Sequence, residues 1–339
     1  MIDLRSDTVT RPTADMWEAI RSASLDDDTL EGDRTVQRLE CAAAELLGKD
    51  DALFVCSGTM GNVIAALAHA GRGGEVVLDQ DSHMANAENG GVSRLANLFC
   101  RALPSHRGEM DIDALRRTVR GKFSRHGEPT AFVGLETSHN ASGGYVQPLA
   151  YFETVAAITA EAGVALHIDG ARLFNAALAL EVEPALLVGK ADSVSVCLSK
   201  GLSAPMGALL LGDRAFIERA RIFRRTVGGG LRQAGPMAAA GLVALTSMRA
   251  RLTEDHELTK RLWRGLQSCP LVMLDKTMPQ TNILRIGVHG MDAVSCKDML
   301  RRRGVAVRDV SARELRLVVH RHITTTDIDN VIAAFTTDI

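Results

Sequence analysis

Short apolar runs, each followed by small or polar residues and then by a helical pattern, constrain this chain more than any other feature. They fall at residues 52–56, 76–78, 131–135, 164–169, 193–198 and 208–211. A strand that is apolar on both faces must be covered on both faces, and a helix between successive strands suits parallel neighbours. The expected fold is therefore α/β, with a large mixed and mostly parallel sheet between helical layers. Residues 35–47 place Val36, Leu39, Ala43 and Leu46 on one helical face, with Thr35 as the N-cap and Gly48 as the stop. From about Gly241 the pattern changes. A long helix over 242–252, a second helix, strands at 282–288 and 315–319 and a last helix predict a smaller α+β unit. We expect a large domain over 1–240, including an N-terminal arm, and a small C-terminal domain over 241–339.

Composition narrows the function classes. The 339 residues suit about two domains, and 46% of them are apolar, which excludes disorder as the main state. The net charge of −2 lacks the basic excess of a nucleic-acid binder, and only 4% aromatics leaves few stacking platforms for single strands. The six cysteines form no C-x-x-C pair, and several sit in apolar runs, as reduced core thiols do. No apolar segment follows the charged start, so no signal peptide is expected, and no run reaches membrane-spanning length. The expected address is the cytoplasm. Histidines and carboxylates lack zinc-type spacing, so no catalytic metal is expected; a structural monovalent cation stays open.

In open α/β sheets ligands bind beyond the carboxyl ends of the strands. Three such ends carry chemistry. Ser57-Gly58-Thr59 precedes a helix, whose free N–H groups and positive dipole end suit a phosphate; the same turn also suits a plain helix cap. Asp169 closes an apolar strand, where a carboxylate needs a cation or donor: either Arg172 or a pyridinium nitrogen. Lys200 follows a third strand, and a lysine screened from water beside other cations loses its proton more readily and attacks carbonyls. Phosphate, ring nitrogen and aldehyde are the three handles of pyridoxal phosphate. His83 and His139 also follow strands. The first suits stacking on a flat ring, and the second suits a general base.

The segments MIDLRSDTVTRPT, TVQRLE, ALFVCSGTMGN, LHIDGARLFNAA, CLSKGLSAP, VGGGLRQAGPMAAAG and RLVVH resemble the low-specificity L-threonine aldolases, in order from Met1 to about Ile323. This resemblance implies a fold-type-I, pyridoxal phosphate-dependent transferase-like fold. It implies Lys200 as the lysine bound to the cofactor aldehyde and Asp169 as the partner of the pyridine nitrogen. Ser57, Gly58 and Thr59 would hold the phosphate, His83 would stack on the ring, and Arg172, Ser6 and Arg316 would bind the substrate carboxylate. The loop 228–232 would reach a neighbouring subunit, with Arg232 near its phosphate and Arg225 contributing charge nearby. The implied assembly is a homo-oligomer, a dimer of dimers. The implied reaction is cleavage of an L-3-hydroxy-α-amino acid to glycine and an aldehyde, with His83, or His139 through water, as the base.

The chain departs from the family pattern on the substrate side. Leu30 stands where the family carries a pocket tyrosine, and Ala85 and Ala87 replace frequent aromatics. Arg225 replaces a frequent lysine, keeping charge but not geometry. A roomier aldehyde pocket or a changed reaction at Cα is the expected consequence. Racemisation or β-elimination on the same scaffold is the alternative, and a non-catalytic binding protein the distant one. No G-x-G-x-x-G follows the first strand and no G-x-S-x-G occurs, which disfavours nicotinamide and serine-hydrolase chemistry.

Overall fold

The computed structural model describes residues 1–71, 73–122 and 127–336. The last three positions of the expected small domain lie outside them. The chain opens with a two-residue strand, β1 (Ile2–Asp3). Three strands of the main sheet follow: β2 (Asp51–Val55), β3 (Glu75–Asp79) and β4 (Phe99–Leu103). A small hairpin, β5 (Ser105–His106) and β6 (Glu109–Met110), leads into β7 (Thr130–Glu136), β8 (Ala165–Asp169), β9 (Ser193–Cys197) and β10 (Ala208–Gly212). The C-terminal part holds β11 (Val272–Leu274), β12 (Ile283–Val288), β13 (Val305–Ala306), β14 (Arg308–Ser311) and β15 (Glu314–Val318).

The main sheet has seven strands in the order β2-β10-β9-β8-β7-β3-β4. The pairs β9/β8, β8/β7, β7/β3 and β3/β4 are parallel, while β10 runs antiparallel to both β9 and β2. Consequently β2, β3, β7, β8 and β9 all end at one edge, and the residues that follow them converge there. Every residue of β3, β9 and β10 is buried, as the continuous apolar runs require. The edge strand β4 escapes such a reading: four of its five residues are exposed, so no apolar run marks it. Phe54, Val133, Leu166 and Val194 belong to the large core beside this sheet. A second core gathers Leu284, Leu315, Leu317 and Phe335 around the four-stranded sheet β11-β12-β15-β14.

Local signals explain the helix ends, with two corrections. The helix Arg34–Leu47 is capped by Asp33, not by Thr35: the Asp33 carboxylate accepts from the N–H groups of Thr35 and Val36. Asp33 also accepts from Gly235 N, a partner only the folded chain supplies. Gly48 ends this helix in the left-handed region, at φ 61°, which favours glycine. The two helices expected here, one over 242–252 and a second after it, are both present with other bounds, Gly235–Ser247 and Leu252–Leu266, so the break falls as a turn inside the first expected range. Position 240/241 lies inside the first of them. The N-terminal arm crosses to the C-terminal part, where β1 pairs parallel with β13 and Leu4 is buried in the second core. All six cysteines are free. Cys197, Cys269 and Cys296 are buried as expected, whereas Cys41 and Cys100 are exposed. Among the described residues no helix is long and apolar enough to cross a membrane.

Candidate active site

The shared edge of the parallel strands builds one site. Ser57 follows β2 and caps the helix Gly58–Ala70, its Oγ accepting from Met60 N at 3.2 Å. Among the described residues nothing accepts from the N–H groups of Gly58 and Thr59, which leaves two donors at the positive end of the helix. Glycine at 58 is a packing requirement, because a Cβ there would lie 2.6 Å from Cys197 Sγ.

Asp169 ends β8 and is buried. Its Oδ2 accepts from Asn62 Nδ2 at 2.8 Å and its Oδ1 from Ala171 N at 3.0 Å. The pairing with Arg172, one of the two sequence expectations, does not form. Arg172 turns to the N-terminal arm and grips Asp7 with two bonds of 2.8 and 2.7 Å. Burial pushes the Asp7 carboxyl up, but the guanidinium outweighs it and brings the pKa to about 2. Asp7 sits 165 residues from Arg172, and no local pattern announces the pair.

Lys200 follows β9, beside β8, on the same edge as Asp169; the strand register sets Asp169 opposite Ser195. The Lys200 carbonyl accepts from Thr10 Oγ1 at 2.8 Å, which ties the loop to the arm. Among the described residues its ammonium has no hydrogen-bond acceptor or ion-pair partner. It is half-buried.

His83 begins a short helix after β3. Its N–H donates to Glu136 Oε2 at 2.6 Å, and its Nδ1 lies 2.9 Å from Glu88 Oε1. The bond to Glu88 raises the histidine pKa against the opposing effect of burial. Ligand-type atoms of His83, Glu88 and Asp169 lie within 4.8 Å of one another, a grouping that spacing along the chain does not reveal. Asn62 Nδ2 also donates to Glu88 Oε1 at 2.8 Å, so one amide joins both carboxylates. Glu88 Oε2 is buried with no partner among the described residues. His139, after β7, is enclosed, with Nε2 2.7 Å from Asp79 Oδ2 and Nδ1 2.7 Å from Ser142 Oγ.

Arg316 on β15 reaches the same edge from the C-terminal sheet. It donates to Asn140 Oδ1 at 2.8 Å and to Arg5 O at 3.1 Å, and its Nε is buried with no partner among the described residues. Burial, together with the nearby Arg172 charge, pushes its pKa down to about 10. Among the described residues no carboxylate pairs with it. Ser6 is nearby in sequence to Asp7, its Oγ 3.5 Å from Asp7 Oδ1. Arg225 is exposed, and Arg232 bonds to Thr29 Oγ1 with Asp27 Oδ1 at 3.8 Å. Neither guanidinium bonds to Ser57, Gly58 or Thr59 of its own chain. Leu30 is 75% exposed and Ala87 is exposed, while Ala85 is half-buried.

The family profile described as beta-eliminating lyase matches residues 3–288. The chain is 41% identical over 340 residues to low-specificity L-threonine aldolase 1 of Arabidopsis thaliana, covering 98% of this chain and 95% of that one. It is 36% identical over 334 residues to the low specificity L-threonine aldolase of Escherichia coli strain K12, covering 98% of both. Among solved structures, a putative L-allo-threonine aldolase from Listeria monocytogenes superposes with a TM-score of 0.82 at 24% identity, over 98% of this chain and 95% of that one. That likeness shows the fold, which is fold type I. The chain accordingly belongs to the beta-eliminating lyase family, among the low-specificity L-threonine aldolases.

Proposed function

We propose that this chain is a pyridoxal phosphate-dependent aldehyde-lyase that cleaves L-3-hydroxy-α-amino acids of the threonine and allo-threonine type to glycine and an aldehyde. One observation carries the reading: an ammonium with no ion-pair partner among the described residues and a buried carboxylate stand at the same edge of adjacent parallel strands. The donor set fits the cofactor. Among the described residues, two N–H groups at the head of the helix after Ser57 have no acceptor, Asp169 forms no ion pair, and Arg316 pairs with no carboxylate. Ser57, Gly58 and Thr59 would hold the phosphate, Asp169 the ring nitrogen, Lys200 the aldehyde carbon, and His83 the ring face. Bound there, pyridoxal phosphate supplies an electron sink for the pair released when Cα–Cβ breaks.

The protein's own residues orient that bond and move the proton. Arg316 and Arg172, with Ser6, would fix the substrate carboxylate; Arg172 is itself steadied by Asp7. Glu88 occupies His83 Nδ1, which leaves Nε2 to take the β-hydroxyl proton. His139, with both ring nitrogens engaged, would act only through a water. Incubation with threonine and with allo-threonine should yield glycine and acetaldehyde. Exchange of alanine's α-proton in heavy water without any acetaldehyde would overturn this in favour of racemisation. With Leu30, Ala85 and Ala87 in place of bulkier groups, phenylserine should also be cleaved; a strong preference for threonine counts against the roomier pocket.

The domain division proposed is 1–240 and 241–339, supported by two cores around two sheets. A homo-oligomer, a dimer of dimers, is proposed with the loop 228–232 presenting Arg232, and Arg225 beside it, to a neighbour's phosphate. The exposure of both arginines in the single chain supports this. A cytoplasmic address is proposed on the same likeness to the aldolases.

A further inference from the structure

Behind Asp169 stands a line of polar side chains, buried except for the half-buried His69 at its far end, that the chemistry above leaves unused. His69 lies in the last turn of the helix Gly58–Ala70, stacked on Phe216 with centroids 4.6 Å apart. Its Nε2 is 2.7 Å from Ser193 Oγ, which is 2.8 Å from His167 Nδ1. His167 Nε2 is 3.1 Å from Asn62 Oδ1, and Asn62 Nδ2 is 2.8 Å from Asp169 Oδ2. The line joins β9, β8 and the helix in an otherwise apolar layer. A buried polar network of this kind is costly unless each member is satisfied.

Every donor in the line has a determined direction. Asn62 Nδ2 faces two carboxylate oxygens, on Glu88 and Asp169, so the amide nitrogen must point there and donate to both. A flipped amide would set its oxygen against two acceptors. Asn62 Oδ1 therefore faces Ser195 Oγ at 2.6 Å and His167 Nε2, and accepts from both. His167 must then carry its proton on Nε2. Burial pushes its pKa down to about 4, so the ring is neutral and Nδ1 is bare. Nδ1 accepts the single proton of the Ser193 hydroxyl, whose oxygen in turn accepts from His69 Nε2–H. Burial likewise keeps His69 neutral, with its pKa pushed down to about 3.

We infer that His69, Ser193, His167 and Asn62 are positioning residues forming a one-way donor chain, whose aligned dipoles hold negative charge on Asp169 and so keep the cofactor's ring nitrogen protonated. Aligned hydrogen bonds polarise one another, and those ending on a carboxylate are the stronger kind. The inference rests on the cofactor assignment above, but its first test does not.

Nitrogen-15 NMR of imidazole-labelled protein, without and with pyridoxal phosphate, should show His69 and His167 as neutral Nε2–H tautomers. An Nδ1–H tautomer at either residue overturns the chain. In the holoenzyme, His167→Leu removes the donor to Asn62, whereas His167→Gln retains one. His167→Leu should lose about tenfold in pyridoxal phosphate affinity, the worth of one buried hydrogen bond, and shift the pH titration of the cofactor's visible absorption. His167→Gln should restore both. Equal behaviour of the two variants overturns the inference, and if His167→Leu fails to fold, the tautomers of the native protein decide. A protein that never takes up pyridoxal phosphate, yet shows the Nε2–H tautomers, removes the proposed function and the link to the ring nitrogen while leaving the donor line itself standing.

Discussion

Asp7 and Arg172 illustrate how much one pair of side chains can decide. Both are buried, so removing one partner strands the other charge. Asp7→Asn should therefore cost about 3–5 kcal/mol of stability in urea unfolding. The pH dependence has a definite sign. The Asp7 pKa is lowered from 3.8 to about 2, so its contribution is complete above about pH 4 and is lost as pH falls toward 2. That loss amounts to about 2 kcal/mol, and the gap between wild type and Asp7→Asn should shrink across this window. Glu88 offers a second residue-level test. Its bond to His83 raises the histidine pKa, so Glu88→Gln should lower it. A base that must be neutral then stays competent in more acid solution. The acid limb of kcat/KM should move to lower pH, which a pH–rate profile reads directly.

The elements show which parts of the fold are legible along the chain. β3, β8 and β9 are buried on both faces, so they survive as apolar runs, and the residues after them reveal Asp169, Lys200 and His83 as neighbours in space. The edge strand β4 carries no such run, and the turn between Ser247 and Leu252 interrupts a stretch with unbroken helical pattern. Asp33, Glu88 and Asn62 stay hidden for another reason. Asp33 caps its helix locally, but its bond from Gly235 N spans 202 residues, and the partners of Glu88 and Asn62 are brought by the fold from 5 and 107 residues away. Even the short separation to His83 has meaning only once the helix after β3 is in place. The helix after Ser57 gives the prediction at this scale. Gly58→Ala sets a methyl 2.6 Å from Cys197 Sγ and should cost about 1–3 kcal/mol in thermal or urea unfolding. The double change with Cys197→Ala makes room and should recover most of it.

At the scale of the whole molecule, the site is assembled from two sheets and the arm between them. Main-sheet strands supply Asp169 and Lys200, β15 supplies Arg316, and the arm supplies Asp7 and the bond from Thr10 to the Lys200 carbonyl. The proposed sharing of sites between subunits can be read by co-expressing Lys200→Ala with Arg232→Ala chains. Hybrid assemblies should regain part of the activity that either variant lacks, because one site per pair has both groups. No gain over the two separate variants would mean that Arg232 serves its own subunit. The pairing of β1 with β13, and of Leu4 with the second core, has a consequence for biosynthesis. Residues 2–4 find their partners only when positions 304–318 have been translated. A nascent chain cut short after Lys200 but before those positions carries the lysine without the Arg316 side of the pocket, so such a product is inert by construction.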